Sequence, residues 1–395
     1  MRLTAPVKLQ PVAAQADALL RTLEAANKAA NWISRQAWNT RTFSQYALHK
    51  LVYRECRARF GLSAQVVIRA IAKVADAYKL DKETERCFRA HGSIAFDARI
   101  LRWGGKAVSI WTVAGRQHIE FVCGEYQRRL LSGQRGESDL IYRRGQFYLA
   151  AACEVEEEPL ATVGEFLGLD LGVVNIASDS TGRRYSGSTV RSVRHRHRRL
   201  RARLQKKQTR AAKRRLQKLA GKERRFATHV NHVISKQIVA SAEGTGCGIA
   251  LEQLKGIRGR VTVRRKQRAV LHSWAFSQLR LFVAYKAQRA GIALVLVDPK
   301  NTSRECSVCG HIARENRLSQ SRFRCVSCGH EAHADTNAAR VISGRAARKP
   351  AEGNNARLSD LCNSIPHESA KSLGLQSGVV YSFPLLSAVF SANRL

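Results

Sequence analysis

Acidic residues are scarce in this chain of 395 residues: 30 Asp and Glu face 68 Lys and Arg, a formal net charge of +38. Few soluble proteins carry such an excess without an anionic polymer to neutralise it, so nucleic acid is the first partner expected. Long apolar runs are missing as well. The longest late one, 379–392, is broken by Ser and Pro and is too short to span a bilayer. The opening MRLTAPVKLQPVAAQ has no signal-peptide apolar region, and no lipidation signal or basic amphipathic anchor stands out, so no membrane partner is expected. Six of the ten cysteines (Cys56, Cys87, Cys123, Cys153, Cys247, Cys362) lack paired spacing. They read as core thiols of a reducing, cytoplasmic compartment.

The other four cysteines are patterned. Cys306/Cys309 and Cys325/Cys328 form two C-x-x-C pairs with fifteen residues between them, each followed by Gly-His. This is zinc-ribbon spacing. A two-residue turn lets both thiolates of a pair reach one cation, and Gly310 and Gly329 relieve the tight turn that follows. Four thiolates make a closed tetrahedral site, which predicts one structural Zn²⁺.

Three acids stand out against the basic background. The stretch FLGLDLGVVNIASD opens with an apolar strand that carries Asp170 in its middle, between Gly168 and Gly172, the apolar strand CGIALEQL ends in Glu252, and Asp335 opens the small-residue helix ADTNAARVI seven residues past the last cysteine. A carboxylate buried in an apolar strand costs several kcal/mol unless it is paired or coordinates a metal. Each acid has a plain alternative: Asp335 as a helix cap, Asp170 as a hydrogen-bonded structural residue. Three of them on separate core elements suit a two-metal nuclease. Mg²⁺ takes carboxylate oxygens, and a pair of such ions activates water and stabilises the leaving oxygen of a phosphodiester.

Along the chain, residues 2–9 read as a strand, and 10–40, 42–60 and 63–78 as helices, the last capped by Ser63. Short alternating runs over 92–158, with turns at 103–105 and 143–146, predict a small β-barrel or antiparallel sheet, with 156–159 as its exit linker. An α/β region begins at Phe166. The tract Arg191–Arg225 holds seventeen Lys or Arg and a single acid, Glu223, with Leu200, Leu204, Leu216 and Leu219 at helical steps. A basic tract is often a solvated or disordered segment. The leucine spacing favours instead an ordered helix or helical hairpin along a phosphate backbone, with Arg194, Arg198, Arg201, Lys206, Lys207, Arg210, Lys213 and Arg214 as contacts. A basic loop over 256–268, a helix over 271–290 and a strand over 292–297 follow; 344–395 is polar and expected to be mostly disordered.

GLDLG, IALEQLKG, TSRECSVCG with FRCVSCG, and ADTNAA resemble the TnpB family, RNA-guided nucleases of bacterial insertion sequences related to the small type V CRISPR effectors. The resemblance is specific over 163–342, looser over 1–160, and does not extend to 344–395. It implies an α/β fold with a small β-barrel and a helical domain, built around an RNase H-like RuvC nuclease domain with a zinc-ribbon insert. The implied divisions are a wedge-like barrel (1–10 and 91–160), a helical recognition domain (11–90), the nuclease domain (161–300 and 331–343) and the target-nucleic-acid-binding ribbon (301–330). Asp170, Glu252 and Asp335 become the RuvC acids, holding Mg²⁺, and Arg317 in ENRLSQ becomes a contact of the scissile phosphate. Guide RNA and target DNA become the partners of a protein monomer. Ile68 departs from the family, where many members carry Gln, so motif reading does not transfer there. Two other readings stay open: a nuclease-inactive RNA-guided repressor, marked by loss of an acid, and a zinc-ribbon nucleic-acid binder without guide or chemistry.

Overall fold

Leu19, Leu23, Ala26, Ala30, Ile33 and Ala37 recur at three- and four-residue steps and are all buried on one face of α1 (Ala13–Asn39). The same logic gives α2 (Gln45–Phe60), which buries Leu48, Val52 and Cys56, and α3 (Ala64–Leu80), which buries Val67, Ile71, Val74 and Tyr78. Ser44 and Ser63 accept hydrogen bonds from the backbone N–H groups of Ala47 and Val66, capping α2 and α3. Ser63 thus caps the helix as its position in the sequence suggests. The computed structural model describes residues 1–253 and 276–348 and divides at Val155/Glu156 into two units. The basic loop 256–268, the first residues of the helix expected over 271–290 and the tail beyond 348 lie outside the described residues.

In the first unit the helices pack on a seven-stranded antiparallel sheet. Its strands are β1 (Arg2–Leu9), β2 (Ile94–Phe96), β3 (Leu101–Trp103), β4 (Ala107–Thr112), β5 (Gly115–Val122), β6 (Gln134–Arg143) and β7 (Gln146–Glu154). The order is β2-β6-β7-β1-β5-β4-β3. The two edge strands are consecutive in sequence, with only Asp97–Ile100 between them. A flat sheet of that order would be about 29 Å across at ~4.8 Å per strand, whereas the link reaches roughly 18 Å. The sheet therefore curls on itself, and Trp103 Nε1 donates to Ser138 Oγ of β6 at 3.2 Å across the closing edge. A short helix, α4 (Glu125–Ser132), interrupts the run of strands, which sequence periodicity did not anticipate.

In the second unit β8 (Phe166–Asp170), β9 (Asn175–Asp179) and β10 (Arg184–Ser186) form an antiparallel meander. A helical hairpin follows: α5 (Ser188–Lys207) and α6 (Arg210–Thr245). Then come β11 (Gly248–Glu252), α7 (Phe276–Arg289) and β12 (Leu294–Val297), with β11 parallel to both β8 and β12. The sheet order is β10-β9-β8-β11-β12. The cysteine pairs and the small ladder β13 (Arg322–Arg324) and β14 (Glu331–His333) lead into α8 (Ala334–Ala347). This last helix runs to Ala347, so 344–347 are helical where the polar composition predicts a mostly disordered tail from 344 onward; Ala346, buried near the helix end, gives that turn its packing.

Candidate functional site

The first acid is the last residue of its strand, not the middle of it. In the β8–β11 ladder Leu169 pairs with Leu251, so Asp170 and Glu252 follow one position later on adjacent parallel strands, on the same face. Carboxyl ends of parallel strands are the usual place for a site in such a sheet. That face is covered by α8, which approaches so closely that a Cβ on Gly168 would lie 2.0 Å from the Ala339 carbonyl oxygen. Gly168 is thus required by the packing, and its absent side chain brings the first turn of α8, with Asp335, to the strand ends. Phe166, Ala250, Val295, Val297, Ile342 and Ala346 fill the interface below.

The structure brings all three acids and Arg317 into one electrostatic neighbourhood. Burial first, then the Glu252 and Asp335 carboxylates, push the Asp170 carboxyl up to about 7, against the pull of Arg317. Burial also raises Glu252, opposed first by a hydrogen bond from Thr302 Oγ1 to Glu252 Oε1 at 2.5 Å and then by Arg345 and Arg280. Asp335 accepts from Asn175 Nδ2 at 2.8 Å and from Arg317 Nη2 at 3.5 Å. Sequence reading missed Thr302, Asn175 and Arg280. Thr302 stands at the start of the TSREC stretch, but its link to Glu252 spans fifty residues. Arg280 is buried, and its Nε has no hydrogen-bond partner among the described residues.

Burial and neighbouring negative charge hold the Asp170 carboxyl above its ordinary range, and burial raises Glu252, an environment in which a hard cation could take the place of protons. Among the described residues the four cysteines alone gather three or more candidate ligand atoms within 4.8 Å of one another.

A pH dependence follows. Asp170 holds its proton more tightly in the folded than in the unfolded chain, from 3.8 up to about 7. Its contribution favours the fold fully below about pH 4 and is lost as pH rises through about 7. Asp170→Asn removes that loss. In chelator-treated protein the variant is expected to be more stable than wild type at pH 8 by on the order of 2–4 kcal/mol, with the gap narrowing towards pH 4. Urea unfolding at both pH values measures it; a gap that does not change with pH contradicts the assignment.

The cysteine pairs converge as their spacing predicts. Cys306 Sγ lies 3.7 Å from Cys328 Sγ, and Cys309 Sγ 3.5 Å from Cys325 Sγ. A tetrahedron of thiolates about 2.3 Å from one zinc has edges of about 3.8 Å, so the four sulfurs fit that ion. Gly310 and Gly329 take φ of +75° and +74°, the left-handed turn expected after each pair.

The basic tract is a hairpin. Thr209 caps α6 through Ala212 N–H, and the lone acid, Glu223, sits at its centre. Glu223 pairs with Arg201 at 2.9 Å and lies 4.0 Å from Arg194 and 3.6 Å from His197. Two of the eight predicted phosphate contacts, Arg194 and Arg201, therefore hold the two helices together. Arg198, Lys206, Lys207, Arg210, Lys213 and Arg214 are exposed.

Comparison with known proteins bears out the resemblance. Residues 150–254 match the family OrfB_IS605, described as "Probable transposase", and residues 276–342 match the Cas12f1-like TNB domain. A CRISPR-associated endodeoxyribonuclease Cas12f1 of Sulfoacidibacillus thermotolerans is 34% identical over 237 residues, covering 54% of this chain and 55% of the relative. InsQ of Escherichia coli K12, whose name describes an RNA-guided DNA endonuclease, is 30% identical over 221 residues, covering 50% of this chain and 53% of the relative. The chain thus spans about half the length of these relatives. A cryo-EM structure of a Cas12f1–sgRNA–target DNA complex aligns over 87% of this chain and 99% of that one, with a TM-score of 0.38 and 16% identity. No described helix is long and apolar enough to cross a membrane.

Proposed function

We propose that this chain is an RNA-guided DNA endonuclease of the TnpB type, cutting DNA beside a short flanking motif by two-metal-ion hydrolysis in the cytoplasm. The observation that carries the reading is the meeting of Asp170, Glu252, Asp335 and Arg317 at the carboxyl ends of β8 and β11. The sheet order, with three antiparallel strands followed by two parallel ones, is the one an RNase H-like RuvC domain would have. On this reading 161–300 and 331–343 are the nuclease domain and 301–330 its zinc-ribbon insert. Residues 1–10 with 91–160 are the wedge-like barrel, and 11–90 the helical recognition domain.

Asp170, Glu252 and Asp335 would hold Mg²⁺, which when bound supplies Lewis acidity to the attacked phosphate. Thr302 fixes one oxygen of Glu252, and the other has no hydrogen-bond partner among the described residues and would face a cation. Asn175 donates to Asp335 Oδ2 and so orients it. Arg317, tethered to the Gln320 carbonyl at 3.3 Å, offers its guanidinium to a phosphate oxygen and balances charge as the oxygen develops it. Sequence would be read by base pairing of guide RNA with one DNA strand, and the flanking motif by the protein. The test is to purify the full-length protein from its host and sequence the nucleic acid that comes with it. A single discrete RNA species is expected; random fragments or none would remove the guided reading.

The exposed side of the hairpin is proposed to line the channel for that duplex. Lys206, Lys207 and Arg210 surround its turn. Replacing all three with Gln is expected to weaken RNA binding and to flatten the slope of log affinity against log salt by about 2–3 units, slightly under one per phosphate contact. The loss should be independent of guide sequence, because phosphate contacts carry no base information. An unchanged slope in filter binding from low to moderate salt would place these residues in solvent.

A further inference from the structure

Two asparagines near the cysteines are fully buried, Asn316 and Asn337. Asn316 stitches the two cysteine turns together. Its amide donates to the carbonyls of Arg304 and His311 at 2.9 and 3.1 Å, and its oxygen accepts from Val326 N–H at 2.9 Å. Asn337 does something else. Its amide donates to the Glu305 carbonyl at 2.7 Å and its oxygen accepts from Ser307 N–H at 3.0 Å. Those two backbone groups flank Cys306, while Asn337 belongs to α8, two residues after Asp335. One carboxamide therefore bolts the first cysteine turn to the helical turn that carries Asp335.

Other links run in parallel. Cys306, Phe323, Cys325 and Ala334 share one small apolar core, and Ala334 adjoins Asp335. Asn316 is followed directly by Arg317, which reaches Asp335 Oδ1. The cysteine cluster is thus the footing of Asp335 as well as the frame of its own loops. Asn337 lies outside the two cysteine turns, which Asn316 links to each other from within. Replacing it with an apolar residue would orphan a half-buried N–H and a buried C=O.

Resting on the proposed carboxylate site, we propose that Asn337 is a positioning residue that couples the zinc knuckle at Cys306 to Asp335, so that zinc occupancy sets the divalent-cation affinity of the carboxylates. Coupling of two binding sites is reciprocal, so cations at the acids also tighten the zinc. Loss of a residue that orients a metal ligand costs ~10–100-fold in metal affinity.

The test uses RNA-free, full-length, zinc-loaded protein, with Mn²⁺ as the probe read by electron paramagnetic resonance and zinc read by elemental analysis. Wild type should bind Mn²⁺ at a site that Asp335→Asn removes. Asn337→Ala should keep its full zinc content, bind Mn²⁺ at least about tenfold more weakly, and, once reloaded with its RNA, lose kcat in guided cleavage with KM for DNA unchanged. Wild-type Mn²⁺ affinity in Asn337→Ala overturns the inference and leaves the carboxylate site standing. Zinc lost in step with Mn²⁺ overturns the role given to Asn337 as the coupling residue, because it would then serve only the knuckle. Mn²⁺ binding untouched by Asp335→Asn removes the carboxylate site and the inference with it. Should Asn337→Ala fail to fold, Asn337→Ser is read by the same criteria.

Discussion

Asp170→Ala, Glu252→Ala and Asp335→Ala are each expected to slow guided DNA cleavage by at least about 10³-fold, roughly 4 kcal/mol in the barrier, while RNA and target binding change little. The acids sit at the ends of β8, β11 and at the start of α8, apart from the exposed cations of the hairpin. Removing one should therefore disable chemistry without weakening the phosphate contacts proposed for the hairpin. Asp335→Ala has an added consequence: it frees Arg317 and Asn175 from their shared partner. Cleavage in Mg²⁺ and binding in Ca²⁺, measured on the same preparations, separate the two effects. Substantial cutting by any one variant would take that residue out of the site, and binding lost in parallel with cutting would mark a folding defect instead.

Cys306→Ser and Cys328→Ser carry the second large effect. The four sulfurs lie across the two turns that precede α8, and in a small knuckle of this kind metal affinity is folding free energy, on the order of 10 kcal/mol. Loss of one thiolate should empty the site, loosen 301–330 and abolish cleavage by withdrawing the support of Asp335. The first unit, with its own continuous core of helices and sheet, should keep its unfolding transition. Elemental analysis should find one zinc per chain in the wild type and none in either variant. A zinc-free preparation with full activity would contradict the structural role of the cysteines.

What was legible in the sequence was what depends on short-range chemistry. The C-x-x-C spacing, the glycine after each pair and the single acid carried by each apolar strand announce themselves within a few residues, although the strand end at Asp170 does not. Helices α1 and α3 were legible because their apolar faces repeat at helical steps. The eight-residue α4, between Gly124 and Gly133, is too short to show a period. What tertiary contact decides was not legible. Glu223 reads as an isolated acid in a basic tract, yet the hairpin turn places it against Arg194 and Arg201 and takes those two cations out of the exposed set. Asn316 and Asn337 look like ordinary polar residues until burial makes each of their hydrogen bonds obligatory. The partners of the acids, Thr302 and Asn175, lie 50 and 160 residues away along the chain.

The central claim is that RNA directs where this protein cuts. The most direct measurement replaces the guide segment of the co-purifying RNA with an unrelated sequence and incubates the complex, in Mg²⁺, with DNA carrying the old target, the new target or neither. Cleavage should move to the new target, require the same flanking motif as before, and vanish in Asp170→Ala. Cleavage that stays at the old target, or that proceeds equally on all three DNAs, would contradict the account.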